Sequence, residues 1–327
     1  MTEFWIERPE IEARLERVLA VIDANIDDRG FPLRQAVAAA AESNGKLLRP
    51  ALLIIGSGFG RAADPARIEK LAAAIELLHV ATLVHDDIID DATTRRGRPS
   101  LHASIGVKEA ILAGDWLFSR CFLLSSECAE PENARALARL IAAVCSAEIS
   151  QDIGKYRFSA SVRSYFRTIA GKTAALFSLA LYAGASEAKV DAQTAQTLRR
   201  AGYDIGMAFQ VIDDILDFES VEDVVRKPVG KDIAEGLCTL PLIYALKADR
   251  LGMKAILARV VAQGETASAE AAADAAARAI EIGGAELARG DARRFTSRAL
   301  AEIGRLPRSS AREDLGRLAE RLLHREY

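Results

Sequence analysis

A chain of 327 residues, half of them hydrophobic, is long enough for one large domain or two ordinary ones and can bury a sizeable core. Its formal net charge of -3 and pI near 6.0 give no basis for nucleic-acid binding or a polybasic membrane anchor. No stretch reaches the ~18 uninterrupted apolar residues that a membrane span needs.

The opening residues, Met1 to Pro9, lack the basic-then-apolar order of a signal peptide. Apolar residues then recur at three- and four-residue steps, beginning with Ile11, Leu15, Val18, Leu19 and Ile22, while alternating β-branched runs are nearly absent. This periodicity predicts an all-α protein, one domain over residues 1–327. Breaks are expected at Asp28 to Pro32, Gly56 to Pro65, Thr93 to Pro99, Glu130-Pro131, Gly184 to Ser186, Glu219 to Gly236, and Gly264. No proline falls between Pro131 and Pro228, which leaves room for several long helices. The Ala- and Glu-rich stretch Thr266 to Ala279 reads as an exposed surface helix. Cys121, Cys128, Cys145 and Cys238 form no Cys-x-x-Cys pair and sit among apolar or small residues. They are expected to be buried thiols of a reducing, cytoplasmic compartment and not zinc ligands.

In chain order the first polar cluster is Gly45-Lys46-Leu47-Leu48-Arg49-Pro50, which puts Lys46 and Arg49 three apart on one helical face. The apolar run Leu71 to Val84 follows, carries His79, and ends in Asp86, Asp87, Asp90 and Asp91. On a helix Asp86 and Asp90 are neighbours one turn apart, as are Asp87 and Asp91, so like charges crowd together and repel. A multivalent cation would reverse the sign of that energy. Carboxylates alone point to a hard cation such as magnesium, typically held by one or two carboxylates and the oxygens of a substrate phosphate. The plain alternative for one such cluster is a solvated acidic helix end. Against it, Asp213-Asp214-x-x-Asp217 repeats the Asp-Asp-x-x-Asp spacing at the end of a second apolar helix, with Gln210 one turn before Asp214. Two such helix ends facing one cavity would grip two or three metal ions and a diphosphate. Helices apolar on nearly every face belong at the centre of a large bundle, where buried carboxylates need metals or basic groups beside them. The basic candidates are Lys46, Arg49, His79, Arg95, Arg96, Lys172, Lys227 and Lys231; Arg suits bidentate phosphate contacts and Lys point-charge ones.

These residues resemble the trans-isoprenyl diphosphate synthases, the polyprenyl synthetase family, from about Gly45 to the carboxyl terminus. The likeness is carried by Gly45-Lys46-x-x-Arg49-Pro50, His79, Asp86-Asp87-x-x-Asp90 with Arg95-Arg96-Gly97, Gly171-Lys172-Thr173, Phe209-Gln210-x-x-Asp213-Asp214-x-x-Asp217 and Gly230-Lys231-Asp232. The resemblance implies a bundle of long helices around a deep central cavity, usually a homodimer. It also implies condensation of isopentenyl diphosphate with an allylic diphosphate, assisted by three magnesium ions (Mg2+). By position, Asp86, Asp87, Asp90, Asp213, Asp214 and Asp217 would bind metal. Arg95, Lys172, Thr173, Gln210, Lys227 and Lys231 would serve the allylic diphosphate, with Thr173 and Gln210 near the reacting carbons. Lys46, Arg49, His79 and Arg96 would hold isopentenyl diphosphate. Asp86, Asp87, Asp90, Lys172, Asp213 and Asp214 would then carry the chemistry. Leu47 and Leu237 stand where the family often has basic residues, a departure that leaves the acidic motifs untouched.

Product length is read from small residues. The helix ending at Asp86 would wall the channel for the growing tail, and Ala81 lies five residues, roughly 7 Å, earlier at ~1.5 Å per residue. Short-chain members often carry an aromatic ring at the level of Ala81 or Thr82. Without one the tail passes to Leu78 and Leu77, with Phe122 as a possible floor, so a medium- or long-chain product, hexaprenyl to decaprenyl diphosphate, is expected. A farnesyl or geranylgeranyl diphosphate synthase is the alternative. A class I terpene cyclase fits less well because it needs no isopentenyl site and normally pairs unlike motifs. A His-Asp phosphohydrolase would need more histidines than the four present, and a non-catalytic subunit would have no use for intact acidic motifs. The bulky stretch Ile111 to Leu124, with Trp116, Phe118 and Phe122, is expected to pack against a second copy.

Overall fold

The computed structural model describes Trp5, residues 8–26, Val37, and residues 46–61, 64–95, 97–219, 229–263 and 269–323. Arg96, Lys227 and the expected breaks at Asp28 to Pro32 and at Gly264 lie outside these residues. The regular structure of the described chain is helical apart from one two-residue antiparallel pairing, in which Thr94 and Arg95 (β1) meet Pro99 and Arg98 (β2) in the expected Thr93–Pro99 break. It divides into two compact units: residues 1–137, 180–196 and 309–312, and residues 138–179, 197–308 and 313–327.

In the first unit α1 (Pro9–Ile26) buries Ile11, Leu15, Val18 and Ile22 as its periodicity requires. The short α2 (Leu48–Ser57) is buried on almost every residue. The long α3 (Pro65–Ile89) starts with proline in its first turn and the Asp64 carboxylate accepting the Ala66 N–H (3.0 Å), and runs without interruption to the acidic motif. After the five-residue α4 (Leu101–Ile105), α5 (Val107–Cys128) packs along α3. Ala110, Ala113, Gly114, Leu117, Cys121 and Leu124 form its buried face, while Val107, Ile111, Leu112, Phe122 and Leu123 are exposed.

Two more helices, α6 (Pro131–Ile153) and α7 (Val162–Ile169), lead to a π-helical turn, Ala170–Ala174, and α8 (Ala175–Glu187). The expected break at Gly184 does not exist. An added Cβ there would stand 2.0 Å from the Leu53 carbonyl oxygen of α2, so the glycine permits close helix packing and stays inside α8. The long α9 (Ala192–Glu219) carries the second acidic motif, followed by the one-turn α10 (Lys231–Ala234).

The chain closes with α11 (Leu240–Ala248), α12 (Arg250–Gln263), α13 (Ala269–Glu281), α14 (Gly284–Arg305) and α15 (Ser310–Leu323). The expectation of a surface helix near Thr266 to Ala279 fails. Ala271, Ala272, Ala275, Ala276 and Ala279 form a buried stripe on α13, packed into a core with Phe218, Ile233, Leu242 and Met253. The alanines hold neighbours close: a Cβ on Gly230 would lie 2.8 Å from the Ala272 carbonyl oxygen. Of the cysteines, all free, Cys121 and Cys128 are buried and Cys238 is half-buried. Cys145 is exposed, contrary to expectation, because it lies on the face of α6 that also exposes Ala142 and Ile149.

Candidate active site

In the first unit the acidic motif sits at the carboxyl-terminal end of α3. A carboxylate there meets the negative end of the helix dipole as well as its neighbours' charge. Asp87 points inward and is buried, and Arg95 answers it. Arg95 Nε donates to both Asp87 oxygens (2.9 Å each), with Nη2 2.8 Å from Oδ1. The β1–β2 turn thus brings the first expected phosphate-binding arginine onto the motif itself. Asp86 is half-buried and Asp90 exposed, so the two members of the motif that share a helix face are the more open ones. His85 is held against α5, with Nε2 3.2 Å from the Ile111 carbonyl oxygen and 3.7 Å from Asp115 Oδ1. Gly114 makes room for its ring: a Cβ would lie 2.2 Å from His85 Nε2.

His79 is half-buried on α3, between the expected tail-wall residues Leu78 and Ala81 in sequence. Ala81, Leu78 and Leu77 are fully buried in the packing of α3, whereas Thr82 is half-buried and donates through Oγ1 to the His79 carbonyl oxygen (2.8 Å). Phe122 is 45% exposed on α5. Lys46 lies just before α2, where its carbonyl oxygen accepts the indole N–H of buried Trp5 (2.7 Å). Arg49 follows in the first turn of α2, half-buried. Between them Leu47 has φ 48° and a buried side chain, so this position belongs to the core and not to a phosphate contact.

In the second unit the residues of the second motif are arranged by hydrogen bonds. A capping box starts α7, with Ser161 Oγ accepting the Ser164 N–H (3.1 Å) and Ser164 Oγ accepting the Ser161 N–H (2.9 Å). It sets Tyr165 on the buried face, where the phenol donates to Asp214 Oδ2 (2.6 Å). Gln210 Nε2 donates to Asp214 Oδ1 (2.8 Å), and Thr173 Oγ1 donates to Gln210 Oε1 (2.6 Å). Asp214 is therefore buried with both oxygens engaged, while Asp213 beside it is exposed. Burial pushes the Asp214 carboxyl up to about 7, against the opposing pull of the Tyr165 and Gln210 hydrogen bonds. Asp217 Oδ2 accepts the Asp232 N–H (3.1 Å). Burial, reinforced by the charge of Asp217 and then Asp214, holds the Asp232 carboxyl well above its ordinary range.

Lys172 and Thr173 lie in the π-helical turn, a widening of the helix that re-aims side chains and recurs at functional sites. Gly171 lets that turn approach α6: a Cβ there would stand 3.1 Å from Ala147 Cβ. Glu148 holds the Lys172 ammonium at 2.8 Å. Lys231 pairs with Glu235 (3.0 Å), and Leu237 is half-buried with its N–H on the Asp232 carbonyl oxygen (2.8 Å).

Both motifs thus follow one rule: the second aspartate is buried and clamped, by Arg95 in one and by Tyr165 and Gln210 in the other. Among the described residues no three His, Cys, Asp or Glu side chains already converge as a cation cage. The donor set of the two motifs, carboxylates only, is that of a hard divalent cation. Sequence reading missed Tyr165, Glu148 and the facing of Asp232 toward the motif. Only Asp232 left a trace, next to Lys231.

The chain matches the polyprenyl synthetase family over residues 32–279. It is 37% identical over 317 residues to heptaprenyl diphosphate synthase component 2 of Geobacillus stearothermophilus, covering 97% of this chain and 95% of the relative. It is 33% identical over 284 residues to the all-trans-nonaprenyl-diphosphate synthase (geranyl-diphosphate specific) of Rhodobacter capsulatus, covering 87% and 86%. Among solved structures, the geranylgeranyl pyrophosphate synthase of Lactobacillus brevis superposes with a TM-score of 0.91 at 33% identity, over 99% of each chain.

Proposed function

The chain belongs to the polyprenyl synthetase family, and from that premise we infer that it joins isopentenyl diphosphate to an allylic diphosphate, repeatedly, to make a medium- or long-chain all-trans polyprenyl diphosphate. It is a prenyltransferase with the all-α isoprenoid synthase fold. The observation that carries the reading is the repeated Asp-Asp-x-x-Asp end of a long helix, with its second aspartate clamped and basic side chains brought close by neighbouring turns. The heptaprenyl and nonaprenyl relatives support a product in the hexaprenyl to decaprenyl range, and the small side chains of Ala81 and Thr82 agree with it. The structural likeness to a geranylgeranyl synthase keeps a shorter product as the second reading.

Asp86, Asp90, Asp213 and Asp217, with Asp87 and Asp214 behind them, would hold the divalent metal, which we take to be three Mg2+ ions with substrate bound. When bound, the metal supplies positive charge at the oxygen that leaves with the diphosphate. Lys172, oriented by Glu148, would add fixed charge at the same place, as would Lys231 and, outside the described residues, Lys227. One edge of the Arg95 guanidinium clamps Asp87, and a guanidinium has a second edge able to meet a phosphate. Lys46, Arg49, His79 and Arg96 keep isopentenyl diphosphate in position while the allylic carbon–oxygen bond breaks and the new carbon–carbon bond forms. The apolar side chains of α3 exclude water from the cation. The proton lost from the new chain goes to the departing diphosphate, so no protein base is required.

The exposed apolar residues Ile111, Leu112, Phe122 and Leu123 of α5 fit a homodimer, and free thiols fit a cytoplasmic setting. A two-chain enzyme is the alternative suggested by the words "component 2" in a relative's name. The test is incorporation of labelled isopentenyl diphosphate. Asp86→Ala or Asp213→Ala should reduce turnover at least 100-fold, as chelation does, with the helical content unchanged. Near-normal condensation by either variant, with the metal still required, would overturn the assignment.

A further inference from the structure

The sequence offers no role for a tyrosine seven residues before Lys172, yet Tyr165 is buried and its hydroxyl is committed to the second acidic motif. It is 6% exposed, and its hydroxyl is the donor to Asp214 Oδ2 at 2.6 Å. Asp214 accepts a second bond, at its other oxygen, from Gln210 Nε2, and Gln210 Oε1 in turn accepts from Thr173 Oγ1. The direction of this chain is not arbitrary. An amide presents a donor at one end and an acceptor at the other. Both Asp214 oxygens act as acceptors, one from Tyr165 and one from Gln210, so Gln210 turns its NH2 toward Asp214 and its oxygen toward Thr173. The Thr173 hydroxyl must then spend its proton on Gln210 and present lone pairs on its remaining side. Tyr165 sits at the far end, on α7, where it stops the carboxylate from turning about its own χ angles.

We propose that Tyr165 is a positioning residue for prenyl transfer, which acts through Asp214 to set the orientation of the Gln210 amide and the Thr173 hydroxyl. This rests on the prenyltransferase reading above, in which Gln210 and Thr173 face the reacting carbons. Lone pairs directed there favour the cationic carbon, whereas a reversed network would direct N–H or O–H hydrogens at it. Tyr165 touches neither substrate nor metal in this account, so its effect is on the rate of the chemical step and not on binding. The bond is between a neutral donor and a carboxylate in a buried place, the class of hydrogen bond whose loss is felt most.

Tyr165→Phe deletes one oxygen and keeps the ring packed. In the full-length enzyme, single-turnover condensation should slow roughly ten- to fiftyfold, with KM for isopentenyl diphosphate within about twofold of the unmodified value. Gln210→Leu is the second variant: it cuts the chain between Asp214 and Thr173 and leaves every carboxylate in place. Gln210→Leu should slow the same step, and adding Tyr165→Phe to it should slow it no further, because both changes act through one chain. A drop in melting temperature with the single-turnover rate unchanged, an equal rise in both substrates' KM values, or full additivity of the two substitutions would each overturn the proposal. Failure of the broader reading looks different: the unmodified enzyme would then form no prenyl product at all, and no variant would be needed to see it.

Discussion

Glu187 is a buried carboxylate outside the motifs, and its removal has a calculable cost. At the end of α8 its Oε1 accepts the backbone N–H of Glu130 and the side-chain amide of Asn133, each at 2.7 Å, while Oε2 meets Arg67 Nη2 at 3.0 Å. Arg67 also donates through Nε to the Cys128 carbonyl oxygen (2.9 Å), so one carboxylate ties the start of α3, the end of α5, the start of α6 and the end of α8. Glu187→Ala strands two donors that are shielded from water, at about 1–3 kcal/mol each, and releases Arg67. Arg67 is 44% exposed in its side chain and can turn to water, so its share is small. A total of about 3–5 kcal/mol follows. At roughly 2 cal/mol/K of unfolding entropy per residue, a chain of 327 residues should melt about 4–7 °C lower. Glu187→Gln keeps one acceptor oxygen for Glu130 and Asn133 and should lose less than half of that. Scanning calorimetry on the purified proteins reads both. A shift under about 1 °C for Glu187→Ala, or a larger loss for Gln than for Ala, would refute the reasoning.

Three further outcomes are expected. Lys46→Ala and Arg49→Ala should raise KM for isopentenyl diphosphate at least tenfold more than for the allylic primer, and Lys172→Ala should do the reverse; steady-state kinetics with each substrate varied would expose a wrong partition. Ala81→Phe should shorten the product toward farnesyl or geranylgeranyl diphosphate without abolishing activity, and unchanged product length would remove Ala81 from the wall. Sedimentation at working concentration should show two copies of the chain, and a monomer, or a complex only with a different chain, would contradict the homodimer.

The motifs could be read from sequence because their chemistry is local: three or four carboxylates at the end of an apolar run are unusual whatever surrounds them, and the chain has two such ends. The helical class was legible for the same reason, since the repeat of Ile11, Leu15, Val18 and Ile22 needs no partner to be recognised. Whatever depended on a partner distant in the chain was not. Gly184 looks like a breaker until Leu53 is known to lie against it, and the alanines of α13 look like a surface helix until Phe218 and Met253 are packed upon them. Tyr165 and Asp214 are 49 residues apart, and neither carries a sign of the other. Leu47 shows the same limit in reverse: it looks like a lost phosphate contact and is a core residue at a left-handed turn.

The central claim concerns what leaves the enzyme. The purified chain, given labelled isopentenyl diphosphate, an allylic primer and magnesium, should yield products that chromatograph after dephosphorylation as all-trans alcohols of hexaprenyl to decaprenyl length. Accumulation that stops at farnesyl or geranylgeranyl, or release of a cyclic hydrocarbon or free phosphate without chain growth, would contradict it.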